Sequence, residues 1–489
     1  MPSTSLTNKA VKATKWSATT EIVAKLVLPI SNIVLARLLA PEAFGIVATI
    51  TMVVTFAEVF TDAGFQKYLI QHEFENEQDL KLSTTVAFWS NFIMSLLFWA
   101  VIVVFRNPIA EMVGNPGMGF VLVIASISIP LAAFSSIQIA LYKRALDYKT
   151  LFKVRIVGVS IPLLVTIPCA LLLKNFWALI IGILVRDLAN AVILTWYSSW
   201  KPNSYYSFDR FKKMFSFTSW SLVEAITIWL TGYADIFIVG SVLNQYYLGL
   251  YKTSVSFVSS ITGMVTAATA SVLFSSLSRL QNDGKEFESF FLKFQRLVSI
   301  LVIPIGVGIF GFCDFITSFL LGNKWTEAAG FIGLWGLSSS VVIVLSNYAS
   351  EIYRAKGKPK LSVLSQSLHL IVLLPSIIVT VKYGYEALYT TRALVRFQAV
   401  LVDLLLLYFF IKLSPAKLLF NVIHPFIASF FMLSVCLLLR LYLPNTTLWG
   451  LLSIIVCAVV YILVLCLFKE DKTLILNLYN SISKKHLKS

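Results

Sequence analysis

The chain has 489 residues, of which 58% are hydrophobic and 13% charged, and its mean hydropathy is +0.82. Because a soluble chain of this length is usually about a quarter charged, these values exclude a soluble fold and indicate that lipid surrounds much of the protein. The net charge of +16 is divided among short patches between apolar runs. That distribution is typical of a polytopic membrane protein, and it argues against a nucleic-acid partner.

Fourteen apolar runs are long enough to cross a hydrocarbon core of about 30 Å at about 1.5 Å per residue. They predict an all-α polytopic membrane protein. In chain order the predicted spans are 16–39, 44–64, 82–105, 119–141, 156–173, 176–198, 214–239, 248–272, 297–321, 328–350, 361–381, 387–411, 418–440 and 448–468. The first run is too long for the apolar core of a cleavable signal peptide, so we predict that it spans the membrane.

The basic residues predict how these spans are oriented. Arg37, Lys252 and Arg440 lie near the outer ends of predicted spans and are assigned to the outer segments. If the N-terminus is cytoplasmic, 29 of the 40 lysine and arginine residues then fall in cytoplasmic segments, 7 in outer segments and 4 within spans. The richest patches, at 142–155, 209–213 and 353–360, then share one side. Since cytoplasmic loops carry an excess of lysine and arginine, we predict that both termini are cytoplasmic.

The sequence carries no recognisable catalytic motif. It contains no P-loop, no G-x-S-x-G and no H-E-x-x-H, and its outer segments are short. The four histidines, at positions 72, 369, 424 and 486, are scattered along the chain, which argues against a zinc site. We therefore expect no enzyme activity, no cofactor and no metal.

A first internal match appears when the chain is shifted by roughly 204 residues against itself. "LARLLAPEAFGIV" (35–47) then aligns with "VGSVLNQYYLGLY" (239–251), and Gly45 falls on Gly249. The first of these stretches is the predicted outer hairpin between spans one and two. We expect Gly45 to allow close packing of the two helices of that hairpin.

A second match appears at a shift of roughly 210 residues, where "LVRDLA" (184–189) aligns with "LVRFQA" (394–399). The matches keep the same order along the chain. They predict two six-helix lobes, 1–200 and 201–412, followed by two additional helices and a cytoplasmic tail, 413–489. Because six is even, both lobes start on the same side, so the repeat is parallel and pseudo-symmetric. Some transporters have this plan, with the substrate site between the lobes.

Two stretches carry a resemblance to a known family. "LARLLAPEAFGIVATITMVVTFAEVFTDAGFQKYLIQ" (35–71) is similar to the N-terminal signature of the Wzx-type polysaccharide and O-antigen flippases, and "DIFIVGSVLNQYYLGLYKTS" (235–254) resembles the segment that opens the second lobe of that family. These flippases belong to the superfamily of multidrug, oligosaccharidyl-lipid and polysaccharide exporters. The resemblance implies alternating-access transport of an undecaprenyl-diphosphate-linked oligosaccharide, the repeat unit of an O-antigen of lipopolysaccharide, a capsule or an exopolysaccharide.

The resemblance also implies a location and partners. The location is the bacterial cytoplasmic (inner) membrane, and the partners are the lipid-linked oligosaccharide and the phospholipid bilayer. Further expected partners are a coupling ion, either proton or sodium, and proteins of polysaccharide assembly. A cation-coupled exporter of drugs or other small molecules on the same fold is the alternative.

Four basic residues lie within predicted spans. A charge in the middle of a membrane costs a few kcal/mol, so each needs a partner or a water-filled cavity. Arg186 and Arg396 hold matched repeat positions near the middle of spans six and twelve, and Arg392 lies one helical turn from Arg396. Guanidinium groups bind phosphate oxygens through paired hydrogen bonds. We therefore predict that Arg186, Arg396, Arg392 and, less directly, Lys25 bind the diphosphate of the substrate.

Each of these basic residues has a structural alternative. Arg186 pairs with an acid of a neighbouring helix in that alternative, and Arg396 pairs with Asp403 two turns along its own helix. Lys25 follows Glu21 by four residues, which is the favourable order for an ion pair on a helix.

Three acids within predicted spans are possible coupling residues for a transported proton or sodium ion. These are Glu58, Glu224 and Asp235. Glu58 lies one turn before Asp62, and two like charges that close raise the pKa of at least one carboxyl. Structural roles at helix ends remain the alternative for these acids.

Tryptophans near the ends of predicted spans are typical of the interfacial belt. Trp220, Trp229 and Trp335 lie farther from the ends of their predicted spans. We predict that they line the cavity and stack on sugar rings. Packing in the core is the alternative for each of them.

Overall fold

The computed structural model describes residues 3–62, 64–444 and 446–474. Within these ranges it does not describe the side chains of 3–15, 17, 18, 21, 22, 62, 216–221, 223, 224, 268 and 271. The described residues form helices and connecting segments without a strand. Helices satisfy every internal backbone hydrogen bond within one segment, as a chain in lipid requires.

Twelve α-helices lie between residues 3 and 279. They are α1 (Ser3–Leu38), α2 (Pro41–Asp62), α3 (Phe65–Gln71), α4 (Glu77–Val104), α5 (Arg106–Met112), α6 (Gly119–Ala125), α7 (Ser128–Arg144), α8 (Tyr148–Ile161), α9 (Ile167–Leu173), α10 (Trp177–Tyr197), α11 (Phe208–Val242) and α12 (Gln245–Arg279). One π-helical turn, Pro162–Thr166, joins α8 to α9.

The remaining helices are α13 (Gly284–Gly311), α14 (Cys313–Ile316), α15 (Ala329–Val342), α16 (Ala349–Ala355), α17 (Lys360–Thr380), α18 (Tyr385–Leu406), α19 (Pro415–Asn421), α20 (Ile423–Tyr442) and α21 (Thr447–Cys466). Three π-helical turns, Thr317–Leu321, Ile343–Asn347 and Leu407–Ile411, and two 3₁₀ turns, Asn323–Ala328 and Val381–Tyr383, lie between them.

Thirteen helical segments of the described residues are long and apolar enough to cross a membrane. They match the second to fourteenth predicted spans in order, which confirms the predicted all-α polytopic fold. The first predicted span, 16–39, falls within α1, which is not among the thirteen.

The chain divides into two compact units, residues 1–252 and 253–489. The second unit has a continuous core to which α13, α15, α18, α20 and α21 all contribute. Tyr461 on α21 donates a hydrogen bond to the carbonyl oxygen of Ile300 on α13 at 2.8 Å. The last two spans are therefore packed into the second unit. The lobe limits 1–200 and 201–412 stay a prediction.

Turn geometry supports the predicted repeat independently of residue identity. Six of the eight described residues with positive φ form three pairs separated by roughly 210 residues, in the same order in both units. The pairs are Gly114 (+79°) with Gly322 (+95°), Leu146 (+57°) with Gly357 (+68°), and Lys174 (+52°) with Gly384 (+97°). A positive φ is costly for residues other than glycine. Its position recurs in both halves, but the turn conformation does not, because ψ is 28° at Lys174 and −180° at Gly384.

Two arginines of the basic patches also hold the first unit together. Arg144 Nη1 donates hydrogen bonds to the carbonyl oxygens of Leu69 and His72 at 2.8 and 2.7 Å. Arg210 pairs with Asp79 at the start of α4, and this hydrogen bond raises the pKa of the Arg210 guanidinium. Each contact joins segments that the predicted topology places on one side of the membrane.

Candidate functional site

Two matched glycines bring α2 and α12 together at their first turns. A Cβ atom at Gly45 would overlap the carbonyl oxygen of Gln245, and one at Gly249 would overlap that of Pro41. Pro41 and Gln245 are equivalent positions of the repeat, as are the two glycines. The contact is thus self-complementary, as across a two-fold axis. Gly45 was expected to serve the first hairpin, but the atoms nearest to it belong to α12.

Polar contacts reinforce this junction, which lies at the end of the helices that is predicted to face outward. The Gln245 side-chain amide donates to the Asn115 Oδ1 atom at 2.8 Å and also to the Gly114 carbonyl oxygen. The Asn115 amide in turn donates to Thr49 Oγ1 on α2. We call the set Thr49, Gly114, Asn115 and Gln245 the outer latch. It joins three segments that the sequence predicts on the same side.

A row of aromatic rings lies on α2, α4 and α11. Successive ring centroids are 4.7 to 5.5 Å apart along Phe98, Phe60, Phe56, Trp229 and Tyr233. The ammonium of Lys252 lies 5.6 Å from the Tyr233 ring centroid. Trp229, a predicted sugar-stacking residue, is thus part of an extended aromatic surface that ends at a cation.

Asp235 lies close to this surface but is held by hydrogen bonds. Its carboxylate accepts from the Tyr251 hydroxyl at 2.7 Å and from the Ile236 backbone N–H at 2.8 Å, and it is only 8% exposed. A buried carboxylate with these donors links α11 to α12. The predicted coupling role of Asp235 stays a prediction.

Arg186 is paired with the next residue of its own helix. Its Nε atom lies 2.9 Å from Asp187 Oδ1, and Asp187 is 8% exposed while nearly half of the Arg186 side chain is exposed. The structural alternative predicts an ion pair between Arg186 and an acid of a neighbouring helix. The structure shows an ion pair with Asp187 of the same helix instead. At the repeat position of Asp187 the second half has Phe397. The aspartate is therefore not repeated beside Arg396.

Arg392 and Arg396 lie over one aromatic ring. Their guanidinium carbons are 5.1 and 4.0 Å from the ring centroid of Trp335 on α15. Arg396 Nη1 also donates to Ser339 Oγ at 2.6 Å. Stacking and hydrogen bonding hold the Arg396 guanidinium in one orientation while both arginines stay partly exposed. The two guanidinium groups therefore meet at one indole ring.

Asp403, the predicted alternative partner of Arg396, is engaged elsewhere. Its carboxylate accepts hydrogen bonds from Ser346 Oγ at 2.5 Å and from the Tyr353 hydroxyl at 3.1 Å. It is 6% exposed. These contacts join α18 to the helices that precede it.

The other predicted site residues are distributed over the first unit. Lys25 on α1 and Glu58 on α2 are partly buried. Glu224 lies on α11, and its side chain is outside the described part of the structure. Of all the predicted diphosphate ligands, the structure brings together Arg392 and Arg396.

Several residues of the site were missed at the sequence level. Ser339 belongs to the run "SSS" (338–340), which is unusual inside an apolar span. This run was the feature of the sequence that could have indicated a polar site on α15. The sequence predicts sugar stacking or core packing for Trp335, and neither includes its contact with the arginines. Lys252 was counted with the outer residues, and its position beside the aromatic row depends on the packing of α11 against α12.

Comparison with known proteins decides the family. The profile of the family described as "Polysaccharide biosynthesis protein" matches residues 34–330, more than half of the chain. The chain belongs to this family. It is 24% identical over 315 residues to the "Succinoglycan biosynthesis transport protein ExoT" of Rhizobium meliloti (strain 1021), covering 64% of this chain and 63% of that protein. The chain thus spans less than two thirds of the length of this relative.

A further relative agrees with this family, and a solved structure shares the fold. The chain is 19% identical over 384 residues to the "Lipopolysaccharide biosynthesis protein WzxC" of Escherichia coli (strain K12), covering 77% of this chain and 76% of that protein. A solved structure of the lipid II flippase MurJ in an inward closed conformation superposes with a TM-score of 0.76 at 16% identity, over 94% of this chain and 99% of that one. The predicted family is confirmed, and the MurJ match shows the fold.

Proposed function

We propose that the protein is a flippase, which carries an undecaprenyl-diphosphate-linked oligosaccharide across the bacterial cytoplasmic membrane by alternating access. The oligosaccharide is a repeat unit of an O-antigen, a capsule or an exopolysaccharide. Family membership and relatives named for polysaccharide transport support this proposal. Both termini are cytoplasmic in this proposal.

The observation that carries the proposal is the arginine pair on α18. Sugar and diphosphate cannot enter hydrocarbon unaided, since desolvating a charge is costly. Arg392 and Arg396 offer two cations within a membrane-spanning helix, and Trp335 and Ser339 hold Arg396 in place. Guanidinium forks match phosphate oxygens in geometry and charge. We propose that these two arginines bind the diphosphate, with Arg186 and Lys25 as further contacts along its path.

Alternating access requires the outer latch to open. The latch consists of a few hydrogen bonds and a glycine contact, which together are weak enough to break during a transport cycle. We propose that α2 and α12 separate at Gly45 and Gly249 when the substrate leaves on the outer side.

The alternative is a drug exporter on the same fold. An exporter of cationic drugs needs acids and aromatic groups at its site, whereas the pair on Trp335 is cationic. For this reason we favour the flippase. An ion gradient is our secondary proposal for the energy source, with Glu58, Glu224 and Asp235 as coupling acids. Proteins of polysaccharide assembly are proposed partners.

Cells that depend on this gene for polysaccharide export test the proposal. We expect Arg396→Ala to reduce surface polysaccharide and to cause accumulation of lipid-linked oligosaccharide. Loss of a hydrogen bond to a charged group costs about 1.5–3 kcal/mol, so the transport rate should fall about tenfold to a hundredfold. Lys382→Ala, which removes an exposed cation from the same unit, is the matched control.

The comparison requires that wild type, Arg396→Ala and Lys382→Ala are present in the membrane at equal levels. Normal export by Arg396→Ala would contradict the role of the arginine pair. Normal export by a strain that lacks the whole gene, together with new drug sensitivity, would instead support the exporter.

A further inference from the structure

A second basic site lies in the second unit, away from the arginine pair. A surface cavity of about 780 Å³ opens where the beginning of α13, the segment α19 and the residues after α21 meet. Five basic side chains line it: Lys285, Lys293, Arg296, Lys417 and Lys469. Two acids, Glu288 and Glu470, also line it.

Two of the basic groups are neutralised by acids. Arg296 Nε donates to Asp471 Oδ1 at 2.6 Å, and Asp471 is fully buried behind the cavity. Arg296 also pairs with Glu470. Lys417 lies 2.7 Å from Glu288 Oε1. Both acids that line the cavity therefore form ion pairs with basic residues of its wall.

The other three lysines carry the excess charge. Among residues 3–62, 64–444 and 446–474, neither Lys285 nor Lys293 nor Lys469 forms an ion pair. All three are exposed at the rim. Two contacts support the wall below them: His424 Nδ1 lies 2.8 Å from Asp471 Oδ2, and the His424 ring stacks on Phe468 at 4.0 Å. A cavity with three cations fits an anion that carries phosphate.

Neighbouring side chains indicate where that anion comes from. Exposed apolar residues lie within two positions of cavity residues in the sequence, on α19, at the start of α20 and after α21. They are Leu419, Phe420, Ile423 and Leu467, with exposures between 40% and 81%. Cations beside exposed apolar groups at the ends of membrane-spanning helices suit a lipid, whose head group and chains meet at that depth. A soluble anion would have no use for the apolar part.

We propose that this cavity binds the phosphate of an anionic phospholipid, with Lys285, Lys293 and Lys469 as its ligands and the flanking apolar side chains against the acyl chains. This site is separate from the transport site, so it holds whether or not the protein is a flippase. Phosphatidylglycerol is the probe, because it combines one phosphate and two acyl chains.

Native mass spectrometry of the purified full-length chain, titrated with phosphatidylglycerol, tests the site. The pocket variant carries Lys285→Gln, Lys293→Gln and Lys469→Gln. The control carries Lys81→Gln, Lys212→Gln and Lys213→Gln, which are exposed lysines of the first unit. We expect the pocket variant to bind phosphatidylglycerol at least about tenfold more weakly than wild type, since every basic residue near an anionic head group adds to binding. The control should stay within about twofold.

Three further arms keep the test sharp. Phosphatidylcholine should bind equally weakly to all three proteins, and inorganic phosphate should not displace phosphatidylglycerol. The single variant Lys469→Gln should show an intermediate loss, which serves if the triple variant does not fold. Equal binding by pocket variant and wild type, or equal loss in both triple variants, would overturn the proposal. Inorganic phosphate that binds as tightly as the lipid would overturn the lipid as its source.

Discussion

At the scale of single residues, the two matched arginines have different surroundings. Arg186 is neutralised by Asp187 beside it, whereas Arg396 is held by a ring and a serine. The repeat therefore preserves the arginine but not the groups that it contacts.

The Arg186–Asp187 pair leads to a prediction about stability. Arg186→Ala leaves the buried Asp187 carboxylate without its counter-charge. Because much of Arg186 is exposed, we expect a loss of about 1–2 kcal/mol rather than the larger cost of a fully buried pair. The double variant Arg186→Ala with Asp187→Asn should recover part of this loss. Thermal unfolding in detergent measures both, and a double variant no more stable than the single one would contradict the role of the pair.

Asp403 gives a second prediction at this scale. Asp403→Ala removes the acceptor of Ser346 and leaves the Tyr353 hydroxyl only the backbone carbonyl oxygen of residue 403, at 3.4 Å, and each buried group that stays unpaired costs about 1–3 kcal/mol. We expect a lower melting temperature. Asp403→Asn, which keeps an acceptor oxygen, should retain transport close to wild type. A loss of transport by Asp403→Asn as large as that of Arg396→Ala would contradict a purely structural role of Asp403.

At the scale of helices, the glycine contact between α2 and α12 is the feature most sensitive to size. We expect Gly45→Ala to force the two helices apart and to impair transport, and Gly249→Ala to do the same through Pro41. Gly232→Ala on α11 is the control, because a Cβ there meets none of the described atoms within 4 Å. Alanine favours a helix over glycine by about 1 kcal/mol, so the control should be neutral or slightly more stable.

Transport assays and thermal unfolding on the same preparations measure these variants. If Gly45→Ala and Gly232→Ala behave alike, then the close contact has no importance for the transport cycle.

The helices also show how far sequence reasoning reaches. Apolar runs predicted the spans because burial in lipid constrains composition strongly. The repeat was visible because Gly45 and Gly249 are identical. Their actual partners were not predictable, since a glycine shows that a close approach occurs but not which helix approaches. Likewise, Arg396 could be singled out by depth, but its stacking on Trp335 depends on the packing of α15 against α18.

At the scale of the whole molecule, charge distribution and contacts agree. The outer latch, the Arg144 contacts and the phospholipid cavity each join segments that alternation of the spans places on one side. The fourteen predicted spans are an even number, which predicts that both termini lie on the same side. The cavity itself was beyond prediction, because three segments distant in sequence form it.

Reporter fusions test this topology. A reporter that is active only in the cytoplasm should be active at the C-terminus and in the segment 280–283, and inactive when inserted at 115–117 or 323–328. The reason is that 29 of the 40 basic residues lie on the side predicted to be cytoplasmic. Activity at 323–328 would contradict the predicted orientation of the second half.

The most direct test of the central claim is transport by the purified protein. Proteoliposomes are loaded with a short polyprenyl-diphosphate-linked oligosaccharide, and a membrane-impermeant enzyme reports how much reaches the other leaflet. We predict transfer by the wild type, a rate at least about tenfold lower for Arg396→Ala, and near-normal transfer for Lys382→Ala. Transfer by wild type no faster than in protein-free liposomes, or equal rates for wild type and Arg396→Ala, would contradict the account.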